Sequence, residues 1–253
     1  MLSDTHEIKE DLKRCYRDIA EEFSKSRKAY WAEFQFFLSY IPESASLLDA
    51  GCGDGRFLKF LKSQKRFVNY TGIDFSPELL AIAKKNFHKE NFQEADMSVD
   101  ILPERFDRIV CCAAFHHIPG KTLRKKTLHN FSHMLKDEGL LLLSVWNLWQ
   151  QRYLSAFARS TLRLFLFKDP RDVFIPFGKE KHLRYYHAFL PWEIRSLLKE
   201  CGFVIERSEI SRHNFVFVCR KNLLKIVPQK IFSREKFTES LEAGAMAICH
   251  REP

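Results

Sequence analysis

Three glycines alternate with other residues directly after an apolar run that carries an acidic residue: Leu47-Leu48-Asp49-Ala50-Gly51-Cys52-Gly53-Asp54-Gly55-Arg56-Phe57-Leu58. The pattern reads as a strand, a tight turn and a helix N-terminus. Glycine lets a ligand come close to the backbone and tolerates positive φ, and the helix start adds unpaired N–H groups. A dinucleotide fingerprint would place its third glycine where Arg56 stands, so this turn is not built for a pyrophosphate. A second apolar segment, Asn69-Tyr70-Thr71-Gly72-Ile73-Asp74-Phe75, ends in a carboxylate roughly 20 residues beyond the turn, the spacing at which an acidic side chain meets a ribose. Its two acceptor oxygens suit a diol.

These residues need a scaffold that brings successive strand ends to one edge. Ser76-Pro77-Glu78 starts a helix, with serine as cap and proline at the first position. Ala95-Asp96-Met97 ends a third apolar segment, Phe106–Cys112 reads as a fourth strand and Gly139–Trp146 as a fifth. Strand and helix alternate from Ser46 to Trp146, which predicts a parallel sheet with helices on both faces. Ahead of it, Ile8, Leu12, Cys15, Tyr16, Ile19 and Phe23 fall at helical spacing, and a second helix would hold Trp31, Phe34, Phe37, Leu38 and Ile41. An irregular Arg- and Phe-rich stretch follows Asn147. A helix near Pro191, capped at Cys201-Gly202, and two last strands, predicted as an antiparallel hairpin, complete the order. The expected organisation is an N-terminal helical cap over 1–45, a core over 46–221 with an inserted lid or substrate arm at about 147–189, and a basic tail over 222–253.

With 253 residues the chain can bury one large core. No run reaches the length of a transmembrane helix and no signal-peptide pattern opens the sequence, so stable membrane insertion is not expected and a cytoplasmic location is. Seven cysteines without a Cys-x-x-Cys pair suggest packed thiols and no metal bound within the chain. Cys111 and Cys112, being adjacent on a strand, are not expected to face the core together. The net charge of +9 is uneven: residues 1–150 carry 22 Lys and Arg against 21 Asp and Glu, and residues 151–253 carry 19 against 11. A basic surface on the later half suits a polyanion.

The glycine turn resembles motif I of class I S-adenosylmethionine (SAM) methyltransferases. That resemblance implies a Rossmann-like sheet, SAM as cofactor, and cofactor contacts from Asp49, Gly51, Gly53, Gly55, Asp74 and Phe75, with Asp96 at the adenine amino group and Met97 flanking the ring. Three further stretches are Ile19-Ala20-Glu21-Glu22-Phe23-Ser24-Lys25-Ser26-Arg27-Lys28-Ala29-Tyr30-Trp31, Ala114-Phe115-His116-His117-Ile118-Pro119 and Arg184-Tyr185-Tyr186-His187-Ala188-Phe189. Together they resemble the tRNA wobble-uridine carboxymethyl methyltransferases, which esterify a carboxymethyluridine in the anticodon loop. Relatives of that kind often work with a small zinc-containing activator subunit. The chain departs from the family pattern at Ser26, at Ala29-Tyr30 and in a tail past Lys221.

Esterification is an in-line displacement by a carboxylate that is already ionised at neutral pH, so positioning matters more than a strong base. Arg27 and Arg184 are candidates to grip the carboxylate as bidentate donors. His116 is expected to orient the acceptor while His117 packs under the sheet. Trp31, Tyr185, Tyr186 and His187 are candidate substrate contacts, the tyrosines as stacking faces for a base. His116, Arg27 and Arg184 should then converge on one cleft. Two other functions remain open at this point. The apolar insertion Leu162–Phe167 would suit a small-molecule methyltransferase acting on a quinone, lipid or secondary-metabolite precursor, and a non-catalytic SAM-fold subunit would lack a reason to keep the cofactor residues.

Overall fold

The computed structural model describes residues 2–26, 29–162, 169–210 and 213–222. Helix α1 (Leu2–Ser26) and helix α2 (Ala32–Leu38) precede an alternating core. The core runs β1 (Ser46–Ala50), α3 (Arg56–Ser63), β2 (Asn69–Asp74), α4 (Pro77–Asn86), β3 (Asn91–Glu94), β4 (Phe106–Cys112), a short 3-10 turn (Phe115–His117), α5 (Lys121–Met134) and β5 (Leu135–Trp146). After β5 come α6 (Leu154–Leu162), the hairpin β6 (Asp172–Phe177) and β7 (His182–His187), α7 (Pro191–Glu200), and the hairpin β8 (Phe203–Ile210) and β9 (Asn214–Lys221). Seven strands form one sheet in the order β3-β2-β1-β4-β5-β9-β8, parallel through β5 and antiparallel at β9 and β8. This is the Rossmann-like class I methyltransferase architecture that the strand–helix alternation and motif I led us to expect. The stretch from Asn147 to His182, expected to be irregular, contains α6 and β6, and β7 begins at its end as the partner in a separate β6–β7 ribbon.

Alternation along each strand divides the core between the two faces. Leu48, Ile109, Cys111, Leu141 and Leu143 pack with Leu128, Phe131 and Ile194 of α5 and α7. Leu47, Val110, Cys112, Leu140 and Leu142 pack with Phe34, Phe37, Phe57 and Leu61 of α2 and α3. Each such side chain, fully buried, contributes about 1.5 to 3 kcal/mol of transfer free energy. The two-sided cover corrects one expectation: Cys111 and Cys112 point to opposite faces, yet both are buried, because each face is a core. Among the described residues all six cysteines are buried free thiols.

The β6–β7 ribbon is pinned by charge. His187 lies with its ring nitrogens 2.6 Å from an Asp172 oxygen and 2.9 Å from a Glu193 oxygen. Arg171 bridges Asp169 (2.7 Å) and Glu193 (2.8 Å), Arg124 of α5 faces both Asp172 and Glu193 at 3.8 Å, and the Tyr185 hydroxyl donates to Asp172 (2.7 Å). Asp169, Asp172 and His187 are close enough together to suggest a metal cage, but their ligand atoms are engaged by these side chains. The network fixes β7, and with it Arg184 to His187, against the core. His187, expected to touch substrate, is fully buried here as a structural hub. Replacing His187 with Phe should therefore cost about 3 to 5 kcal/mol, the scale for breaking a buried charged network, read as a lower urea midpoint; an unchanged midpoint would show that the ribbon is held by other contacts.

Candidate functional site

The carboxyl ends of β1, β2 and β4 open into one cavity with about 1020 Å³ of free space, where open α/β sheets bind their ligands. The glycine turn forms its floor. Gly51 (φ +80°) must lack a side chain, since a Cβ there would sit 2.5 Å from the Ala114 Cβ. Gly53 (φ +55°) differs: a Cβ would meet no protein atom nearer than 3.9 Å, so its bare face looks into space that a ligand can fill. Gly55 faces Phe87 and Phe92 and does not line the cavity. Ala113, at the end of β4, is held in the left-handed region (φ +52°) with its N–H on the Ser144 oxygen atoms (3.1 Å), which swings Ala114 over Gly51.

Asp74 ties two loops together. One of its oxygens accepts from the Gly53 N–H (2.8 Å) and the other from the Ser76 N–H (2.9 Å), while Ser76 caps α4 through the Leu79 N–H (3.3 Å). Burial pushes the Asp74 carboxyl up to about 6 even though backbone N–H groups favour its charge. Asp49 is also buried, accepts from the Tyr70 hydroxyl (2.7 Å), and is pushed up to about 7 by desolvation and by the nearby acids despite that bond. Asp96 goes the other way: against the upward push of burial, Lys9 (2.5 Å) and Ser98 (2.7 Å) hold its carboxyl below the usual range. Asp49, Gly51, Gly53, Asp74, Phe75, Asp96 and Met97 all line this one cavity. Its donor set suits SAM: bare backbone at Gly53, and carboxylates at Asp74 and Asp96 with lone pairs left for hydroxyl and amino groups.

Helix α1 roofs the cavity. Lys9 bonds Asp96 and Ser98 (3.0 Å), the Tyr16 hydroxyl lies 3.0 Å from His117 Nε2, and Ser24 donates to Asp54 (2.7 Å). Sequence reasoning gave Tyr16 only as an apolar helix position, held Ser24 within a family-resembling stretch and passed over Lys9. Their spacing, Lys9, Tyr16, Phe23, is a seven-residue step that keeps one helix face turned to the cavity. Trp31, a candidate substrate contact, does line the cavity, with the Arg56 guanidinium 3.7 Å above its ring.

The histidine assignment is corrected. His117, expected under the sheet, lines the cavity; His116, expected to meet the acceptor, is fully buried and does not. The 3-10 turn sends adjacent side chains in different directions. His116 Nδ1 accepts from the Trp146 N–H (3.2 Å), and its ring stacks on Tyr186 (5.2 Å between centroids). Burial, with His117 and Arg184 nearby, holds its pKa well below the ordinary value. Arg184 also stays out of the cavity wall. It is buried behind Tyr16 at 3% exposure, among Phe177, Tyr186 and Phe23. Tyr185 and Tyr186 are core residues in this arrangement, with no face free for a base. Arg27 lies outside the described residues. The expected convergence of His116, Arg27 and Arg184 on one cleft is therefore not what the described residues form; Tyr16 and His117 occupy that position.

Comparison with known proteins followed from this geometry. The methyltransferase-domain family matches over residues 23–208. A tRNA (carboxymethyluridine(34)-5-O)-methyltransferase of Schizosaccharomyces pombe is 25% identical over 235 residues, covering 84% of this chain and 97% of that protein. The protein of that name from Arabidopsis thaliana is 30% identical over 146 residues, 57% of this chain, and the match spans only 35% of its own length. Among solved structures, a SAM-dependent methyltransferase of Clostridium acetobutylicum superposes with a TM-score of 0.59 at 18% identity (82% of this chain, 99% of that one). The methyltransferase in a complex with the Trm112 methyltransferase activator of Haloferax volcanii does so with 0.62 at 15% (83% and 97%).

The site makes a binding prediction. SAM should bind with micromolar affinity, about −8 kcal/mol. Gly53→Val should abolish binding by filling the open face of the turn, and Asp74→Ala should weaken it. Because the raised Asp74 and Asp49 pKa values favour the protonated folded state, apo stability should fall as pH rises through the window from about 4 to 7. SAM affinity should rise over the upper part of that window as Asp74 ionises and becomes an acceptor only. Calorimetry giving wild-type, pH-independent affinity in both variants would refute the site. On the match across residues 23–208 the chain belongs to the methyltransferase-domain family, and its fold is that of the class I SAM-dependent methyltransferases among its solved neighbours.

Proposed function

We propose that this enzyme esterifies a carboxylate, that of the carboxymethyl group on a tRNA wobble uridine. The observation that carries the reading is the acceptor side of the cavity. His117 Nδ1 lies 2.7 Å from the Tyr185 carbonyl, which can only accept, so the proton sits on Nδ1 and Nε2 offers a lone pair. Burial, with Arg184 adjacent, drives the His117 pKa down to about 3 although the carbonyl bond works against it. Such an imidazole is too weak a base to take a proton from a hydroxyl or an amine. A carboxylate brings its own charge and needs no base. Behind Tyr16 lies Arg184, a cation that no carboxylate pairs with among the described residues, and its positive field favours an anionic acceptor.

SAM, when bound, supplies an electrophilic methyl on a sulfonium. That methyl would pass to an acceptor oxygen with its bonding pair left on sulfur, so an anionic acceptor and the sulfonium would both end neutral. This chain's own residues hold the cofactor (Asp74, Gly53, Asp96), exclude water under α1, and orient the acceptor. The names of the Schizosaccharomyces pombe and Arabidopsis relatives support tRNA as substrate, as does the basic excess of residues 151–253. A cytoplasmic location accompanies the proposal, and among the described residues no helix is long and apolar enough to cross a membrane. An activator subunit is proposed on the Haloferax neighbour alone. The apolar insertion that favoured a small-molecule acceptor falls mostly outside the described residues.

Incubation with labelled SAM and total tRNA, followed by digestion, should yield a methyl ester of carboxymethyluridine, cleavable by mild alkali. Binding of tRNA should weaken steeply with added salt as counterion release is suppressed. Label in a small-molecule extract and none in tRNA, or tRNA binding indifferent to salt, would transfer the enzyme to the small-molecule class.

A further inference from the structure

The buried end of the cavity holds a line of polar groups with a fixed direction. Arg184 can only donate, and its positive charge acts on the Tyr16 hydroxyl from behind, pulling against the upward push of burial. That leaves the Tyr16 proton to be given onward. Its partner is His117 Nε2, 3.0 Å away, the nitrogen left unprotonated because Nδ1 faces the Tyr185 carbonyl at 2.7 Å. The hydrogen-bond direction therefore runs Tyr16 to His117 to the β7 backbone, with the Arg184 charge behind Tyr16. Only Tyr16 and His117 reach the cavity; Arg184 ends behind them.

Three observations single out Tyr16. It is the one member of the line that both lines the cavity and has a proton to give, since the only ring proton of His117 is spent on Tyr185. Its ring is clamped edge-on by Phe23, Phe75 and His117, with centroids 5.6 Å, 5.6 Å and 5.7 Å away, so the hydroxyl cannot swing out of line. Burial keeps it a phenol, pushing its pKa above the ordinary value against the pull of Arg184. Arg184 itself stays out of the cavity wall, and its Nε has no hydrogen-bond partner among the described residues.

We infer that Tyr16 is the hydrogen-bond donor that meets the methyl acceptor, and that Arg184 is a positioning residue acting through Tyr16. An acceptor oxygen entering between Tyr16 and His117 takes over the hydroxyl proton's attention from Nε2, without any proton being transferred. The bond orients one oxygen and leaves its remaining lone pairs for the incoming methyl. This rests on the anionic-acceptor reading for its substrate and on the hydrogen-bond line for its geometry, and the two are tested apart.

The geometric arm needs no acceptor. In the full chain labelled with ¹⁵N-histidine and saturated with demethylated cofactor, the His117 Nε2 resonance should move toward that of a free imine nitrogen in Tyr16→Phe, and also in Arg184→Met. If Arg184→Met does not fold, Arg184→Gln takes its place and should retain the wild-type resonance, since its amide keeps a donor behind Tyr16. A resonance unmoved in Tyr16→Phe or in Arg184→Met, or lost to the free-imine position in Arg184→Gln, overturns the line. The kinetic arm uses a carboxymethyluridine-bearing anticodon stem–loop. Tyr16→Phe should lower kcat about thirtyfold, the scale of one hydrogen bond to a charged group, with cofactor affinity unchanged. Arg184→Met should cost a similar factor, and the double variant should cost no more than Tyr16→Phe alone. Losses that multiply in the double variant would show that Arg184 touches the acceptor itself, and wild-type turnover in Tyr16→Phe would remove Tyr16 from the reaction. A wild-type protein that leaves the stem–loop unmethylated while the resonances shift as stated refutes the tRNA substrate and not the line.

Discussion

A buried carboxylate organises the cofactor end of this molecule. Asp74 sits at the end of β2 and accepts from Gly53 in the preceding loop and Ser76 in the following one. Those two bonds fix the distance between the glycine turn and the start of α4, and so the width of the cavity floor. Burial penalises the charge, and its pKa rises to about 6; the N–H groups offset enough of that penalty for the site to be ionised at neutral pH. Proteins tolerate such cost where a ligand later adds hydrogen bonds. Asp49, pushed to about 7 on the neighbouring strand, carries the same signature. Two desolvated acids at adjacent strand ends make the unliganded site electrostatically unfavourable at neutral pH, and a bound cation relieves it.

Helix α1 then converts an open strand edge into a covered cavity. It touches three loops, each from a different strand: Lys9 on the segment after β3, Tyr16 on the turn after β4, Ser24 on the loop after β1. Its apolar face, Leu12, Cys15, Ile19 and Ala20, packs on Leu79 of α4 and Tyr185 of β7. Three bonds from one helix thus span three strand ends of the cavity wall. Lys9 is the sharpest case, because the Asp96 carboxylate that it neutralises is itself part of the cavity wall.

The sheet and the strand-end residues that line its cavity were legible because they obey local rules. The glycine turn, the Ser76-Pro77 helix start and the acidic strand ends each carry their signal within a few residues, and a parallel sheet brings strand ends to one edge wherever the helices fall. The acceptor side was not legible in the same way. Which of His116 and His117 faces the cavity depends on the direction of one 3-10 turn and on Trp146, thirty residues further on, offering its N–H to His116. Whether Arg184 reaches the cavity depends on Tyr16, which lies at the far end of the sequence. The paired cysteines Cys111 and Cys112 misled for a related reason: alternation was read as one buried and one open face, when helices cover both. Patterning within an element reports which face is apolar, and it does not report what packs on the other.

The arginine at the heart of the acceptor side sharpens the physical question. Removing a guanidinium from water costs several kcal/mol unless charge or hydrogen bonds offset it. Arg184 has aromatic faces at 4.4 Å (Phe177) and 5.4 Å (Tyr186), which supply cation–π attraction on the order of 1 to 2 kcal/mol. Against the downward push of burial, Tyr16 raises its pKa, and no carboxylate pairs with it among the described residues. The nearby Arg171 and Arg124, on the same ribbon and the helix beside it, are by contrast supplied with Asp169, Asp172 and Glu193. The fold thus spends its acids on the structural arginines and withholds them from the one beside the cavity. Had an acid been placed there, the field at Tyr16 would be cancelled and an anionic acceptor would gain nothing by entering. Under the proposed function, an anionic acceptor would meet that uncancelled positive field across Tyr16, whose ring is packed against Phe23, Phe75 and His117.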